Sequence, residues 1–583
     1  MKILLTTLNA KYVHSNLALR YLRAVCPEEE VMIQEYTIND RLDVIAGEIY
    51  RTDAAVVGFS CYIWNLAPTL ELVGILRQVS PSTVIVLGGP EVSYDPAEYV
   101  KSAAGADIVV CGEGEETWRE LIASLKGEGL RLDAAPDLSR IKGIAYRSPG
   151  GPAVNPPRTL IRDLETVPSP YTAMDGLENK IAYIESTRGC PFNCQYCLSS
   201  TFQGVRYFPL QQTKQELERL VGAGVRQIKF VDRTFNCSKT HAMEIMTFLA
   251  AWNPPANFHF EISADLLDEE MLGFLKGVPP GLFQFEVGVQ STNPATLDLI
   301  QRRTDLALLE KNVRAISAAG NIMQLVDLIA GLPAEDYQSF ARSFNTVYSW
   351  GPDKLQLGFL KLLKGSGIRE RGAEWGYKFT ASPPYRVLAN NLLSYADVLK
   401  LEIIEDMVEK FFNSGRFKHT LSYLIEQFQQ DPFACFEELA GFWRERGYQR
   451  LAHSAQALFE LLLEFYRRRF SGGERLFAGL LKLDYLLWNK PVHIPAWFPL
   501  EDFPCFKQRA DAFFRAGLPQ LLPQVKQVSR RELQRYFHLE PFAPEVLQYL
   551  GMLEMAGDGP CLLFYYPGPL LQALRPGFMP AVI

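Results

Sequence analysis

The sequence predicts a three-part α/β protein: an N-terminal doubly wound, Rossmann-like sheet, a partial (β/α)6 barrel and a mostly helical C-terminal domain. Three observations carry that expectation. Short apolar runs alternate with amphipathic stretches up to residue 150, six more strand–helix repeats follow a Pro/Gly-rich break, and helix-like periodicity takes over from residue 369. A chain of 583 residues with 48% hydrophobic and 21% charged residues has the composition of a multi-domain globular protein. That excludes a largely disordered, collagen-like or small disulfide-stapled chain.

In the first region, 1–150, the expected strands are 2–8, 31–36, 54–60, 83–87 and 106–110, each bounded by turn residues. Helical patterns at 16–24, 67–79 and 115–125 separate them. Parallel sheets of this kind bind ligands outside the carboxyl ends of their strands. Those ends carry Ser60-Cys61-Tyr62-Ile63-Trp64-Asn65, Gly88-Gly89-Pro90-Glu91 and Gly112-Glu113-Gly114-Glu115. A Pro/Gly-rich stretch beginning at Ser148-Pro149-Gly150-Gly151-Pro152 predicts a linker over 151–177.

The second region, 178–368, offers strands at 181–186, 227–232, 258–263, 282–289, 324–329 and 354–360. Six repeats fall short of a closed eight-stranded barrel, with chemistry again expected at the strands' C-terminal ends. The third region, 369–583, is rich in aromatics, as at Phe433, Phe436, Phe442 and Trp443, and reads as helical. It also holds two basic runs, Tyr466-Arg467-Arg468-Arg469-Phe470 and Ser529-Arg530-Arg531. Interleaved Arg and aromatics can bind RNA, but a solvated helix face is the commoner explanation.

The net charge is −7 and the pI about 5.7, so no global basic field draws the chain to nucleic acid. No apolar run reaches the ~18 residues of a membrane span, and no membrane insertion is expected. The apolar run after Met1 is too short for a signal peptide, which predicts the cytoplasm.

In a reducing compartment, clustered cysteines are metal ligands or catalytic groups more often than disulfides. Of ten cysteines, seven are scattered: Cys26, Cys61, Cys111, Cys237, Cys435, Cys505 and Cys561. Three stand together in Arg188-Gly189-Cys190-Pro191-Phe192-Asn193-Cys194-Gln195-Tyr196-Cys197, just after the first barrel strand. One loop with these spacings wraps three thiolates around a single inorganic cluster and leaves one iron of a 4Fe–4S cluster open. Zinc is the competing occupant, but no nearby pair of Cys or His completes a tetrahedral set.

This loop resembles the signature of the radical S-adenosylmethionine (SAM) superfamily, in which the open iron binds SAM and reductive cleavage yields a 5′-deoxyadenosyl radical. Later stretches match in the same order: Phe230-Val231-Asp232-Arg233-Thr234-Phe235, Phe260-Glu261-Ile262-Ser263-Ala264-Asp265, Glu286-Val287-Gly288-Val289-Gln290-Ser291 and Asp327-Leu328-Ile329-Ala330-Gly331-Leu332-Pro333. By that resemblance Cys190, Cys194 and Cys197 hold the cluster. Tyr196, Asp232, Glu261, Ser263, Gln290, Ser291 and Leu360 are the expected SAM contacts. The carboxylates also have a plainer reading as helix caps or ion-pair partners, and His241 and His259 read as structural.

The first region resembles the cobalamin-binding domain found upstream of many radical SAM enzymes. The resemblance implies corrinoid contacts from Asn9, Tyr12, Ser60, Tyr62, Trp64, Asn65, Gly88, Gly89, Pro90, Glu91, Val92, Gly112, Glu113 and Gly114. The alternative is a flavodoxin-like domain with another ligand or none, because Gly-Gly and Gly-x-Gly alone are weak signals. The Asp-x-His-x-x-Gly motif that supplies a lower cobalt ligand in many such proteins is absent; His14, the sole His before residue 150, reads as a loop residue. Cys26, Cys61 and Cys111 invite comparison with methylthiotransferases, but the motifs around them do not match that family.

The implied function is a cobalamin-dependent radical SAM enzyme, a methyltransferase to an unactivated carbon, using a 4Fe–4S cluster, SAM and cobalamin. The C-terminal region resembles an uncharacterised extension on some of these proteins. A rearrangement, cyclisation or ring contraction without net methyl transfer is the alternative within the same chemistry. A non-catalytic corrinoid- or SAM-binding regulator is the alternative from another class, and the three-Cys loop argues against it. The implied partners are an external low-potential electron donor and a substrate left open among small molecule, peptide, lipid and RNA.

Overall fold

Aliphatic strands buried on both faces build the N-terminal sheet of the computed structural model. Residues 1–102, 105–127, 137–201, 204–490, 493–499, 501, 503–522, 525, 528–555, 561–566 and 577–581 are described. Strands β1 (Lys2–Asn9), β2 (Glu30–Thr37), β3 (Val56–Ser60), β4 (Val84–Gly88) and β5 (Ile108–Val110) run parallel in the order β2-β1-β3-β4-β5. Between or after them lie α1 (Leu17–Ala24), α2 (Leu42–Arg51), α3 (Leu66–Val79), α4 (Pro96–Lys101) and α5 (Glu115–Gly127). Alternate strand residues point to opposite faces. Leu4, Val57, Phe59, Ile85 and Leu87 thus join one buried cluster, while Ile3, Leu5, Val56, Val84 and Val86 join another with Trp118. Strand order reverses between β1 and β3, which sets a ligand crevice at their C-terminal ends.

Where the sequence pattern predicts a linker from 151, the structure instead extends this sheet. Antiparallel β6 (Ile144–Ser148) and β7 (Gly151–Val154) follow β5, and the Pro149-Gly150 pair forms the turn of their hairpin. Pro and Gly mark a turn equally well whether it leaves a domain or doubles back within one.

The second sheet is six-stranded and parallel, in the order β15-β14-β13-β12-β11-β8. Its strands are β8 (Ala182–Ile184), β11 (Gln227–Phe230), β12 (Asn257–Ile262), β13 (Phe283–Gln290), β14 (Met323–Ala330) and β15 (Lys354–Phe359). Between β8 and β11 stand a two-stranded antiparallel hairpin, β9 (Thr187–Cys190) and β10 (Gly204–Tyr207), and helix α6 (Leu210–Gly222). Helices α7 (Lys239–Trp252), α8 (Glu269–Lys276), α9 (Pro294–Leu299), α10 (Leu306–Ala319) and α11 (Tyr337–Ser349) complete the repeats. Phe230, Phe260, Phe283, Phe285 and Val326 are fully buried, while Lys229, Glu261, Glu286 and Asp327, one position away on the same strands, are only partly so. This period-2 pattern makes one side of the sheet an apolar seat and lines the other with polar groups.

After β15 come α12 (Gly367–Glu370) and a small hairpin, β16 (Lys378–Phe379) with β17 (Val387–Ala389). Val387 N–H donates to Leu360 O at 2.9 Å, and Leu362 N–H to Tyr385 O at 2.9 Å. Residues 369–398, which the sequence pattern groups with the helical region, therefore belong to the first compact unit, Met1–Val398.

The second unit, Leu399–Ile583, starts inside α13 (Tyr395–Met407). It contains α14 (Lys418–Gln427), α15 (Pro432–Glu445), α16 (Ala455–Arg469), α17 (Glu474–Trp488) and shorter helices. It also holds an antiparallel sheet, β18 (Phe537–Pro541), β19 (Cys561–Tyr565) and β20 (Gly577–Ala581), that the helical reading did not contain. A five-residue apolar run such as Cys561–Tyr565 cannot be told from a buried helix turn by periodicity. The basic run on α16 is a solvated, paired face: Arg467, Arg468 and Arg469 meet Glu474, Glu445 and Glu438 at 2.7, 2.7 and 2.5 Å. Among the described residues, no helix is long and apolar enough to cross a membrane.

Candidate functional site

The cysteine loop grows out of hairpin β9–β10, and the hairpin rests on a buried carboxylate. Asp232, just past β11, accepts hydrogen bonds from Ser186 N–H at 3.0 Å, Ser186 Oγ–H at 2.6 Å and Thr187 Oγ1–H at 2.7 Å. Fully buried and with its oxygens engaged, Asp232 anchors the start of the loop and does not face an open site as its expected SAM contact requires. His241 supports the same anchor, with Nε2 at 3.0 Å from Ser186 Oγ, and burial holds its pKa down at about 4. Gly189 makes the hairpin possible: its φ is +99°, and a Cβ there would come closer than 3.0 Å to the carbonyl oxygen of Gly204 on β10.

Cys194 is buried and Cys190 and Cys197 are partly exposed, and none of the three is in a disulfide. Ser199 N–H donates to Cys197 Sγ at 3.4 Å, and Cys190 Sγ lies 3.7 Å from Thr234 Oγ1. Backbone bonds pin the loop's middle: Gln195 N–H donates to Ile300 O at 2.9 Å, and Ile368 N–H donates to Gln195 O at 2.9 Å. Tyr196 packs against the buried cluster that contains Leu360 and Ile300. Among the described residues no three His, Cys, Asp or Glu side chains converge on a single-ion site.

Arg302, which the sequence reading did not single out, lies beside this loop. Its guanidinium reaches Cys194 Sγ at 4.0 Å and donates to Tyr196 Oη at 3.3 Å and to the Gly288 carbonyl. Its buried Nε has no hydrogen-bond partner among the described residues. Burial pushes the Cys194 thiol up and Arg302 opposes that rise. An uncompensated buried cation calls for an anion, so these residues fit an anionic thiolate-held cluster and a carboxylate-bearing ligand next to it.

The polar side of the barrel gathers Lys229, His259, Glu261, Glu286 and Asp327. Lys229 Nζ lies 3.2 Å from Glu261 and 2.9 Å from Glu286, which also meets His259 Nε2 at 2.9 Å. Burial alone would raise the pKa of Glu286, but hydrogen bonds from His259 and Lys229 hold it at about 2. Asp327 accepts from Gln356 Nε2 at 2.9 Å, and burial together with Glu286 and Glu261 pushes its pKa well up. Gln290 ends β13 at a bulge with φ +74°, a strained backbone for a non-glycine residue. Ser291 is buried and donates to Glu335 at 2.6 Å; Glu335 also accepts from Ser343 at 2.9 Å. Burial raises the Glu335 pKa to about 7 against those two bonds. Ser263 is buried, and its Oγ–H donates to Asp265 at 2.6 Å.

Elsewhere in the same unit, the loops that follow β1 and β3 carry Tyr12, Tyr62 and Trp64. The Tyr62 and Trp64 rings stack at 4.5 Å and 4°, with Trp64 44% exposed, and present a flat aromatic face. Gly89 has φ +114°, and a Cβ there would stand 2.5 Å from Cys61 O, so glycine lets this loop lie against the loop after β3. Gly88 and Gly89 are partly exposed, and Pro90 and Gly112 are exposed. Other expected corrinoid contacts are committed elsewhere. Asn65 is fully buried and brackets Thr7, Leu8 and Ser60; Asn9 bonds Glu35 and the His14 carbonyl; Val92 is core. Ser60 is buried beneath Asn16, and Gly114 packs 3.3 Å from Leu22 at the Cβ position. Glu91 accepts from Tyr385 Oη, and Glu113 pairs with Arg206 at 2.7 Å. His14 Nδ1 lies 2.6 Å from Tyr183 Oη on β8, the loop role its sequence context predicts.

Comparison with known proteins fits this pair of sites. The "B12 binding domain" model matches residues 3–122 and the "Radical SAM superfamily" model matches 184–347. The chain belongs to the cobalamin-binding radical SAM proteins. A third model, described as "Protein of unknown function (DUF4080)", covers 373–564.

Among the relatives of this radical SAM protein is the 2-(S-pantetheinyl)-carbapenam-3-carboxylate methyltransferase of Streptantibioticus cattleyicolor. It is 29% identical over 52% of the chain and 46% of its own length. An uncharacterized methyltransferase of Pyrococcus horikoshii is 24% identical over 73% of the chain and 89% of its length. The chain thus spans about half the length of the first relative and most of the second. Two solved structures share the fold: TsrM from Kitasatospora setae (TM-score 0.54, 18% identity, 68% of this chain and 80% of that one) and OxsB (TM-score 0.57, 15% identity, 88% and 81%). The domains imply a 4Fe–4S cluster, SAM and cobalamin as cofactors.

Glu335 and Arg302 are the site residues that a strand-end reading misses, because Glu335 lies past the turn after β14 and Arg302 lies beyond α9. A polar residue after an apolar strand end and a sharp Gly-x-Pro turn was the available signal for Glu335; Arg302 had none.

Proposed function

We propose that this chain is a cytoplasmic cobalamin-dependent radical SAM methyltransferase that acts on an unactivated carbon. The observation that supports it most is that one compact unit carries both the B12-binding match and the radical SAM match. When bound, the cofactors supply one-electron cleavage of SAM and a methyl carrier. Cys190, Cys194 and Cys197 would hold the cluster, and Arg302 would set its charge environment and receive the SAM carboxylate. Tyr196, Glu261, Gln290 and Ser291 would orient SAM, with Glu335 fixing Ser291. Tyr12, Tyr62, Trp64, Gly88, Gly89 and Gly112 would cradle cobalamin. The reaction needs an external low-potential electron donor.

A second reading rests on the anaerobic magnesium-protoporphyrin IX monomethyl ester cyclase of Rubrivivax gelatinosus, 22% identical over 57% of the chain. It would keep the cofactors and end in ring formation without methyl transfer. The test of the first reading is Cys194→Ala in the anaerobically reconstituted protein. Iron content and 5′-deoxyadenosine formation should fall to background while the corrinoid spectrum stays. A variant that still cleaves SAM would remove the cluster assignment.

A further inference from the structure

The acidic residues of the two cobalamin motifs turn toward the barrel, and each meets a segment that holds the cysteine loop. Glu115 lies 2.5 Å from Arg188 Nη2, and Glu113 lies 3.6 Å from Arg188 Nη1 and 2.7 Å from Arg206 Nη2. Arg188, two residues before Cys190 on β9, stands opposite Arg206 on β10. Glu185 completes the network at 2.6 Å, and the Arg188 guanidinium lies over Tyr21 of α1 at 5.2 Å and Phe208 at 5.5 Å. On the other motif, Glu91 accepts from Tyr385 Oη, while Lys364 of the same segment meets Asp95 at 3.2 Å. That segment also pins the cysteine loop, through Ile368 N–H to Gln195 O.

We propose that Glu113, Glu115 and Glu91 are positioning residues that fix the distance between the two cofactors. Through Arg188 and Arg206, and through Tyr385, they bolt both corrinoid loops to the cysteine loop, one at its β9–β10 base and the other at its middle. Buried ion networks contribute little net stability but restrict geometry strongly, because the Arg fork accepts carboxylates in few orientations. A transfer between two bound groups is sensitive to misplacement by about 1 Å, so such ties have a mechanistic use that corrinoid contact would not give. The inference rests on the proposed cluster and cobalamin sites.

The test is pulsed dipolar EPR on holoenzyme reconstituted with iron, sulfide and hydroxocobalamin, reduced so that cobalt and cluster both carry an unpaired electron. Wild type, Glu115→Gln and Tyr385→Phe are compared, with iron and corrinoid counted per chain. The expected result is a narrow cobalt–cluster distance distribution in wild type that broadens in each variant at unchanged iron and corrinoid. An unchanged distribution in both variants would overturn the proposal. Loss of corrinoid from Glu115→Gln at full iron would also overturn it and make Glu115 a ligand contact. A wild type lacking either spin would instead remove the cofactor sites on which the proposal stands.

Discussion

Replacing Gly189 by Ala adds one methyl group and should dismantle the platform of the cysteine loop. The backbone there has φ +99°, outside the range that residues with a Cβ adopt readily, which costs about 1–2 kcal/mol. The new Cβ would also overlap the Gly204 carbonyl oxygen, a backbone atom that cannot swing aside. Relief requires opening the β9–β10 pairing, with loss of about 1 kcal/mol for each cross-strand hydrogen bond. The sum is roughly 2–4 kcal/mol, or about 30- to 1000-fold against the closed hairpin. Gly204→Ala is the control: its φ is +87°, yet a Cβ there meets nothing within 4 Å among the described residues, so only the dihedral penalty applies. Iron and acid-labile sulfide per chain after anaerobic reconstitution, followed by 5′-deoxyadenosine formation, read the difference. Gly189→Ala should lose most of its cluster and Gly204→Ala much less. Full iron and unchanged SAM cleavage in Gly189→Ala would refute the reasoning.

Other perturbations follow from the same geometry. Arg302→Gln removes the buried cation beside Cys194 and should lower the cluster's reduction potential in an EPR-monitored titration, with weaker SAM binding by equilibrium dialysis; an unmoved potential would count against that placement. Asp232→Asn turns an amide N–H2 toward donors and should cost about 2–4 kcal/mol, seen as a lower melting temperature with reduced iron content, whereas a pure SAM contact would change SAM affinity alone. Glu335, whose burial raises its pKa to about 7 from an ordinary 4.5, keeps its proton after the unfolded chain has lost its own. Its contribution to stability therefore falls as pH rises from 4.5 to 7 and stays low above that. In urea melts across that window Glu335→Gln should show a shallower decline than wild type, and parallel curves would contradict the burial argument.

Much of the fold is legible in the sequence because parallel strands buried on both faces read as aliphatic runs. The 54–60 and 83–87 runs become β3 and β4, and all six barrel runs become strands in the expected order. Hairpins escaped. The β6–β7 turn carries the same Pro/Gly signal as a linker, and β9–β10 interrupts a region whose pattern is dominated by cysteines. The C-terminal sheet escaped because β19 is too short for its period to show. Within the candidate site the cysteine loop is legible from spacing alone. What spacing does not reveal is direction: Asp232, Glu91 and Glu113 sit in the expected motifs, yet their carboxylates point to Ser186, Tyr385 and Arg206. Contacts such as Arg302 with Cys194 join residues 108 apart, beyond the reach of any local pattern.

The central claim is that this chain uses both cofactors for methyl transfer. Its most direct test is the anaerobically reconstituted protein incubated with cobalamin, a low-potential reductant and SAM labelled in its methyl group. Mass spectrometry then follows label on the corrinoid together with S-adenosylhomocysteine and 5′-deoxyadenosine. The account predicts labelled corrinoid and both SAM products in the wild type, with only the deoxyadenosine falling to background in Cys194→Ala. Deoxyadenosine formed without any label reaching cobalt would contradict it.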